Sequence, residues 1–485
     1  MRQSRLTQHA LLNLLGQGVP LMAAIWAIPI LLRDLGTERF GMLTLAWAIM
    51  SALAIADLGV GRVVTQRIAS SGGCSGVPSR GHLAGTALAL MLAAGLAMGT
   101  LMILVGAILV EGGAGAASRS EVIGAVIWLG ATLPSILLTT GLRAIMEGAS
   151  AFTWVNAIRI PVNSMVFLAP LLVIDPAQPS IALVCMSLCV VRWGGAILHA
   201  WAVGRLGWTT QVLSRCRRRL IRPLLRAGGW FGLIALAGPT IGYGDRFVIA
   251  WTGSLEAAAC YATPHEIVTK LWIVPAALAM ALFPALASSG SRSSAQSTAH
   301  RLIDDSAAAL FMVLFPATLL LSLFSHELLS AWISPQFALC SAPILRWFSL
   351  GILLSCIAYP ASTFLQATGR ARAVATLQLA QVLPFLVLMA WVVAHFGTQA
   401  AAALWAARAA VDLLILMRLS RSGPFDSGSR GRQARSLLGG LACLSAFSLP
   451  ADSLSTEAKV LSCLLASGLA WGVQRERIRA WLASR

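Results

Sequence analysis

The sequence predicts an all-α polytopic membrane protein of about fourteen transmembrane helices, arranged as two six-helix lobes plus a C-terminal helix pair. Three observations predict it. The 485 residues are 58% hydrophobic and only 11% charged, with a mean hydropathy of +0.79, whereas soluble chains carry about 25% charged residues. Apolar runs of about 20 residues recur along the whole chain, each long enough to cross ~30 Å of hydrocarbon at 1.5 Å per residue. The basic residues, all arginine except Lys270 and Lys459, gather in alternate connections between those runs.

The runs fall near 11–32, 41–61, 83–110, 122–142, 160–174, 181–204, 227–251, 258–287, 302–324, 342–366, 374–394, 400–418, 437–450 and 458–473. Met1 to Arg5 imitates the start of a signal peptide. The apolar stretch from Ala10 to Leu32 is too long for a signal core, so it reads as an uncleaved first helix. With a cytoplasmic N-terminus, 27 of the 36 Lys and Arg fall in the tails and even-numbered connections. Only Arg33, Arg39, Arg119 and Lys459 fall in the odd ones, and five lie inside spans. That bias rejects the reverse orientation and places both termini in the cytoplasm.

The most basic connection follows the sixth span, and a Gly-, Ser- and Arg-rich one follows the twelfth. The chain therefore divides into an N-terminal lobe (1–204), a basic cytoplasmic linker (205–226), a C-terminal lobe (227–420), a cytoplasmic loop (421–436) and a final helix pair with its tail (437–485). Gly36-Thr37-Glu38 after the first span has a faint echo in Gly253-Ser254-Leu255-Glu256 after the seventh. Repeated halves are usual in alternating-access transporters. The nine cysteines are scattered, with no metal-type spacing, and imply neither a metal site nor a disulfide framework.

The first two spans carry Asn13-Leu14-Leu15-Gly16-Gln17-Gly18-Val19-Pro20, then Pro29, Leu35-Gly36-Thr37-Glu38-Arg39-Phe40-Gly41, and an exit Asp57-Leu58-Gly59-Val60-Gly61-Arg62 followed by Gln66. This stretch resembles the opening of the O-antigen and polysaccharide-precursor flippases, members of the multidrug/oligosaccharidyl-lipid/polysaccharide exporter superfamily. Tyr243-Gly244-Asp245-Arg246-Phe247 is a weaker echo. The resemblance implies two lobes about a pseudo-two-fold axis and a central cavity lined by the first, second, seventh and eighth helices. It implies a multi-pass protein of the bacterial inner membrane that carries an undecaprenyl-diphosphate-linked oligosaccharide, an O-antigen or exopolysaccharide unit, between leaflets by alternating access. The implied partners are that lipid-linked oligosaccharide, membrane lipids, and a polysaccharide polymerase with its chain-length proteins. No cofactor and no nucleic acid are implied.

A charge at the bilayer centre costs about 2.5–3.5 kcal/mol on insertion scales, so such residues face protein or water. Glu266 and Lys270 stand at i,i+4 on one face of the eighth span, among Pro264, Pro275 and Pro284. They are either a self-neutralising pair or part of a polar cavity wall, with Lys270 offered to an anion. Asp245 and Arg246 point about 100° apart and cannot share one face; the outer position of Arg246 would let it snorkel. Arg192, in mid-span with no carboxylate within a turn, needs a partner from elsewhere. Lys270, Arg192, Arg246, Glu266 and Asp245 are thus the candidate substrate-binding residues. Asp57 and Arg62, beside Gly59 and Gly61, are either a capped helix exit or a cytoplasmic gate.

Two rival functions remain. An ion-coupled multidrug or cation antiporter would use Asp57, Asp245 and Glu266, although basic residues inside the spans outnumber acidic ones. A membrane polysaccharide polymerase would need a sizeable outer loop, and the longest here is about Ser325 to Ser341. There are no paired carboxylates and no nucleophile elbow, so no catalytic residue is assigned and the chain reads as a non-enzyme. No nucleotide-binding motif is present, which leaves an ion gradient, membrane potential or substrate turnover as the energy source.

Overall fold

The computed structural model describes residues 2–55, 60–70, 78–109, 118–149, 151–208, 217–288, 293–421 and 455–468. Asp57 and the span expected at 437–450 lie outside them, as does the side chain of Arg62. The described chain is helical with no strand, and eight of its helices are long and apolar enough to cross a membrane. Two of these hold two spans each. The first helix, α1 (Arg2–Ile55), has 54 residues, which would run about 80 Å if straight. It breaks at Gly36, whose φ of 75° is a left-handed conformation that costs glycine nothing. The turn expected over nine residues is in fact a single-residue break.

The chain forms two compact units, Met1–Ala259 and Cys260–Arg485. In the first, α2 (Val60–Ser70), α3 (Pro78–Leu109), α4 (Arg119–Gly148), α5 (Phe152–Val173), α6 (Ile181–Arg205) and α7 (Arg218–Thr252) join α1. The beginning of α8 (Leu255–Thr269) completes the unit. α4 packs on α2, α3 and α6, α5 packs between α1 and α6, and α7 lies against α1, α2 and α3. Val64, Ile68, Leu88, Met91, Leu142, Met146 and Trp208 share one buried cluster. Arg218, Arg219 and Arg222, expected in a linker, stand on the first turns of α7.

One carboxylate fastens three elements of this unit. Ser118 caps α4 by accepting from the Glu121 N–H at 3.2 Å. The Glu121 side chain takes a two-pronged contact from Arg39, at 2.9 and 3.2 Å, and accepts the Ile181 N–H at 2.7 Å. The last bond satisfies the first orphan N–H of α6, whose own cap residue Ser180 makes no side-chain cap bond.

In the second unit a 3₁₀ turn, Lys270–Trp272, follows α8. Then come α9 (Ile273–Ser288), α10 (Ser293–Leu323), the short α11 (Ser325–Trp332), α12 (Pro335–Ala367), α13 (Ala371–Arg421) and α14 (456–468). α12 is central and packs on α9, α10, α11 and α13. α13 spans twice and breaks at Gly397, with φ 76°. In both units buried hydroxyls bond to carbonyls one turn back, as Thr132, Ser164, Thr318 and Ser349 do. Such local bonds satisfy polar groups that have no water to turn to.

One expectation is overturned. Cys260 on α8 and Cys340 on α12 form a disulfide across 80 residues of sequence. Pairing so distant is a product of tertiary structure, and the scattered spacing of the cysteines concealed it. In the same unit, the buried Lys459 of α14 pairs with Glu327 of α11.

Candidate functional site

The eighth span is broken where its charges lie. Pro275 has no N–H to offer the Leu271 carbonyl, and its ring crowds that turn, so the helix tightens to 3₁₀ over Lys270–Trp272. Lys270 sits at the break, its Nζ 3.0 Å from Glu266 Oε2. The lysine side chain is 41% exposed and the glutamate 27%, so the pair opens onto a surface. A half-exposed ion pair is worth little as a structural brace, which leaves the ammonium available to a second, anionic partner.

Asp245 and Arg246 are both fully buried on α7, at 0% and 1% exposure. Arg246 does not snorkel as its outer position had allowed. Its guanidinium lies 5.1 Å from the centre of the Tyr243 ring, and its backbone N–H donates to Asp245 Oδ1 at 2.8 Å.

Arg192 lies within the interior stripe of α6, in register with the buried Cys185, Leu188, Cys189, Ala196 and His199. Its neighbour Trp193 donates to the Ala131 carbonyl of α4 at 3.0 Å. Arg192 Nε is buried and has no hydrogen-bond partner. No described carboxylate pairs with it.

The structure therefore brings Lys270 together with Glu266, and Asp245 together with Arg246. Among the described residues of the first unit, no carboxylate pairs with Arg192. Of the other charges inside spans, Arg408 pairs with Asp412 at 3.0 Å, and Asp412 also accepts from Gln381 at 2.6 Å. Arg346 donates to Ser325 at 3.1 Å. Among the described residues no group of three His, Cys, Asp or Glu is placed to hold a metal.

The sequence model of the polysaccharide biosynthesis protein family matches residues 6–290, more than half of the chain. The chain belongs to the polysaccharide biosynthesis protein family. This family member is 26% identical over 412 residues to a candidate O-antigen transporter of Shigella flexneri, covering 85% of this chain and 97% of that one. Its fold is that of the lipid II flippase MurJ in an inward closed conformation, with a TM-score of 0.72 and 12% identity over 97% and 100% of the two chains. The inward-facing conformation of a multidrug resistance MATE family transporter of the MOP superfamily gives a TM-score of 0.68 and 14% identity over 84% of this chain and 94% of that one. The fold is thus that of an all-α polytopic membrane protein, as the sequence predicted.

Sequence reasoning missed two groups in this family member. The Arg39–Glu121 pair joins positions 82 residues apart and leaves no local signal. Arg143 and Arg159 had been counted in a cytoplasmic connection, but both stand on helices. The apolar pattern of Phe152 to Val166 holds the signal that would have found Arg159, since α5 begins eight residues earlier than expected.

Proposed function

We propose that this protein is a flippase that moves an undecaprenyl-diphosphate-linked oligosaccharide from the inner to the outer leaflet by alternating access. The observation that carries this reading is the imbalance of partners among the described residues of the spans. Asp245, Glu266 and Asp412 each already accept from a donor. Arg192 has no described counter-charge, and Lys270 has only a half-exposed one. Such an interior favours an anionic cargo, because an uncompensated buried cation is relieved when a phosphate or acidic sugar arrives. A cation antiporter would need the reverse, a carboxylate awaiting a charge. Similarity to the Shigella flexneri chain and to MurJ supports the same class of cargo.

The proposed orientation keeps both termini in the cytoplasm. The Cys260–Cys340 disulfide supports it, since both cysteines fall at span ends assigned to the outside and disulfides persist in oxidising compartments. The lobe boundaries and the gate at Asp57 and Arg62 are retained as proposals on the sequence argument alone. A polysaccharide polymerase and chain-length proteins would act on the delivered unit.

The test is surface polysaccharide in a strain whose chromosomal copy is deleted. Lys270→Ala and Arg192→Gln are each expected to abolish it while membrane protein level stays near wild type. Normal polysaccharide from both variants would overturn the reading. A deletion that changes drug susceptibility and leaves polysaccharide intact would support the antiporter instead.

A further inference from the structure

Three helices of the first unit bring basic side chains to one depth. A Cβ on Gly124 of α4 would meet the Ala182 Cβ of α6 at 3.0 Å, which fixes the register of these two helices. Nineteen residues beyond Gly124 stands Arg143, and seventeen beyond Ala182 stands His199. A Cβ on Gly195 of α6 would meet Val162 of α5 at 3.0 Å. Arg159 is one turn from Val162 and His199 one turn from Gly195, toward the same end because α5 and α6 are joined by a short connection. Arg143, Arg159 and His199 thus lie within about one helical turn of one another in depth.

Among the described residues, the carboxylate of this group is Glu147, at 3.4 Å from Arg143. Arg159 Nε is buried without a hydrogen-bond partner. Arg143 and Glu147 side chains are each 35% exposed, so the group is reachable from the end of the unit. At the same depth Trp154 and Trp201 stack edge to face at 5.4 Å on exposed positions, and Arg205 covers Trp201. Exposed tryptophans of this kind mark the headgroup level of a bilayer.

We infer that Arg143, Arg159 and His199 form a receiving site for the diphosphate headgroup of a polyprenyl lipid at the cytoplasmic leaflet. The inference rests on the flippase reading and adds to it a site separate from Arg192 and Lys270. The diphosphate sits at this depth by virtue of its lipid tail, and its charge matches two guanidiniums against one carboxylate. Arg159 supplies the unsatisfied donor, and Glu147 limits how tightly the headgroup is held.

The test is equilibrium binding of undecaprenyl diphosphate to the full-length protein in zwitterionic nanodiscs, with undecaprenol and phosphatidylglycerol as comparison ligands. Arg159→Gln is expected to weaken diphosphate binding about 10-fold or more, the scale of one charge-assisted hydrogen bond. Arg159→Lys should recover part of it. Glu147→Gln should tighten binding several-fold, a gain that a merely structural role would not produce. Wild-type affinity in Arg159→Gln, with loss in Arg192→Gln, would overturn this site while the flippase reading stands. Equal affinity for phosphatidylglycerol would overturn its specificity for the diphosphate. Failure of the wild type to bind undecaprenyl diphosphate would overturn both.

Discussion

Gly41→Ala is the perturbation with the most direct structural consequence. A Cβ placed on Gly41 falls 2.1 Å from the Leu255 carbonyl oxygen and 2.7 Å from its carbon. Both are backbone atoms and cannot swing aside, so the two turns must part by about 1 Å to reach ordinary contact. Beside this contact Thr37 donates to Glu256 at 2.7 Å, in an exposed bond. Inserting a methyl into a fitted contact costs about 1–3 kcal/mol. If the turns separate in the outward-open state, the cost falls only on the closed one, and the population shifts about 5- to 150-fold toward opening. The assay is labelling of an Ala257→Cys variant by a membrane-impermeant maleimide from outside. Gly41→Ala should raise the labelling rate at unchanged protein level. Gly36→Ala is the comparison, since a Cβ there meets nothing within 4 Å and only its φ of 75° is strained. Unchanged labelling in Gly41→Ala, with normal expression, would refute the idea that this contact distinguishes the two states.

Further outcomes are open to measurement. Cys260→Ser and Cys340→Ser should each lower the thermal unfolding temperature of the purified protein, and the double variant should be no worse than either alone; additive losses would mean that the two thiols are not bonded to each other. Partial burial, the largest single influence, pushes the Glu327 carboxyl up, but the hydrogen bond and charge of Lys459, a backbone N–H bond and the nearby His326 together outweigh it and hold the carboxyl below the ordinary glutamate range. A lowered folded value means that the Glu327–Lys459 pair stabilises fully above the ordinary value of about 4.3 and is lost as pH falls through the lowered one. The difference in unfolding temperature between wild type and Glu327→Gln should therefore be largest near neutrality and close below about pH 4. Glu121→Gln should destabilise the protein by about 1–3 kcal/mol, since Arg39 loses its partner in a part-buried site; an unchanged melting curve would show the pair to be dispensable.

What was legible in the sequence depended on the range of the interaction. Among the described residues span existence was legible because each span carries its own hydrophobicity, and the breaks at Gly36 and Gly397 were legible as turns because short polar connections hold them. The i,i+4 pair of Glu266 and Lys270 was legible for the same local reason, and the structure pairs them. Pairings set by tertiary contact were not: Cys260 with Cys340, Arg39 with Glu121, and Lys459 with Glu327 are separated by 80, 82 and 132 residues. Arg159 was lost for a different reason. Excluding charges from spans places span edges at charges by construction, so a guanidinium inside a helix is read as the helix end. Arg246 shows the converse: its outer position suggests solvent, yet its side chain is buried.

The placement of cations along the first unit bears on how a bound headgroup could leave again. Arg192 lies seven residues from His199 on one helix, about 10 Å farther along its axis. A diphosphate held by Arg143, Arg159 and His199 is thus within one step of a cation that has no described counter-charge, and neither position is a closed cage. Glu147 weakens the first position, and the single guanidinium limits the second. Tight binding at either one would lower the starting state and the route equally little, because transport gains only from affinity that differs between conformations. Two moderate sites at different depths are therefore better suited to passing a headgroup onward than one site carrying all the charge. Moving the Arg192 charge one turn toward the cytoplasm, by Arg192→Gln with Ala196→Arg, should retain diphosphate binding and lose export. Normal export from that variant would show that depth does not matter, and that the net positive charge of the interior alone carries the transport.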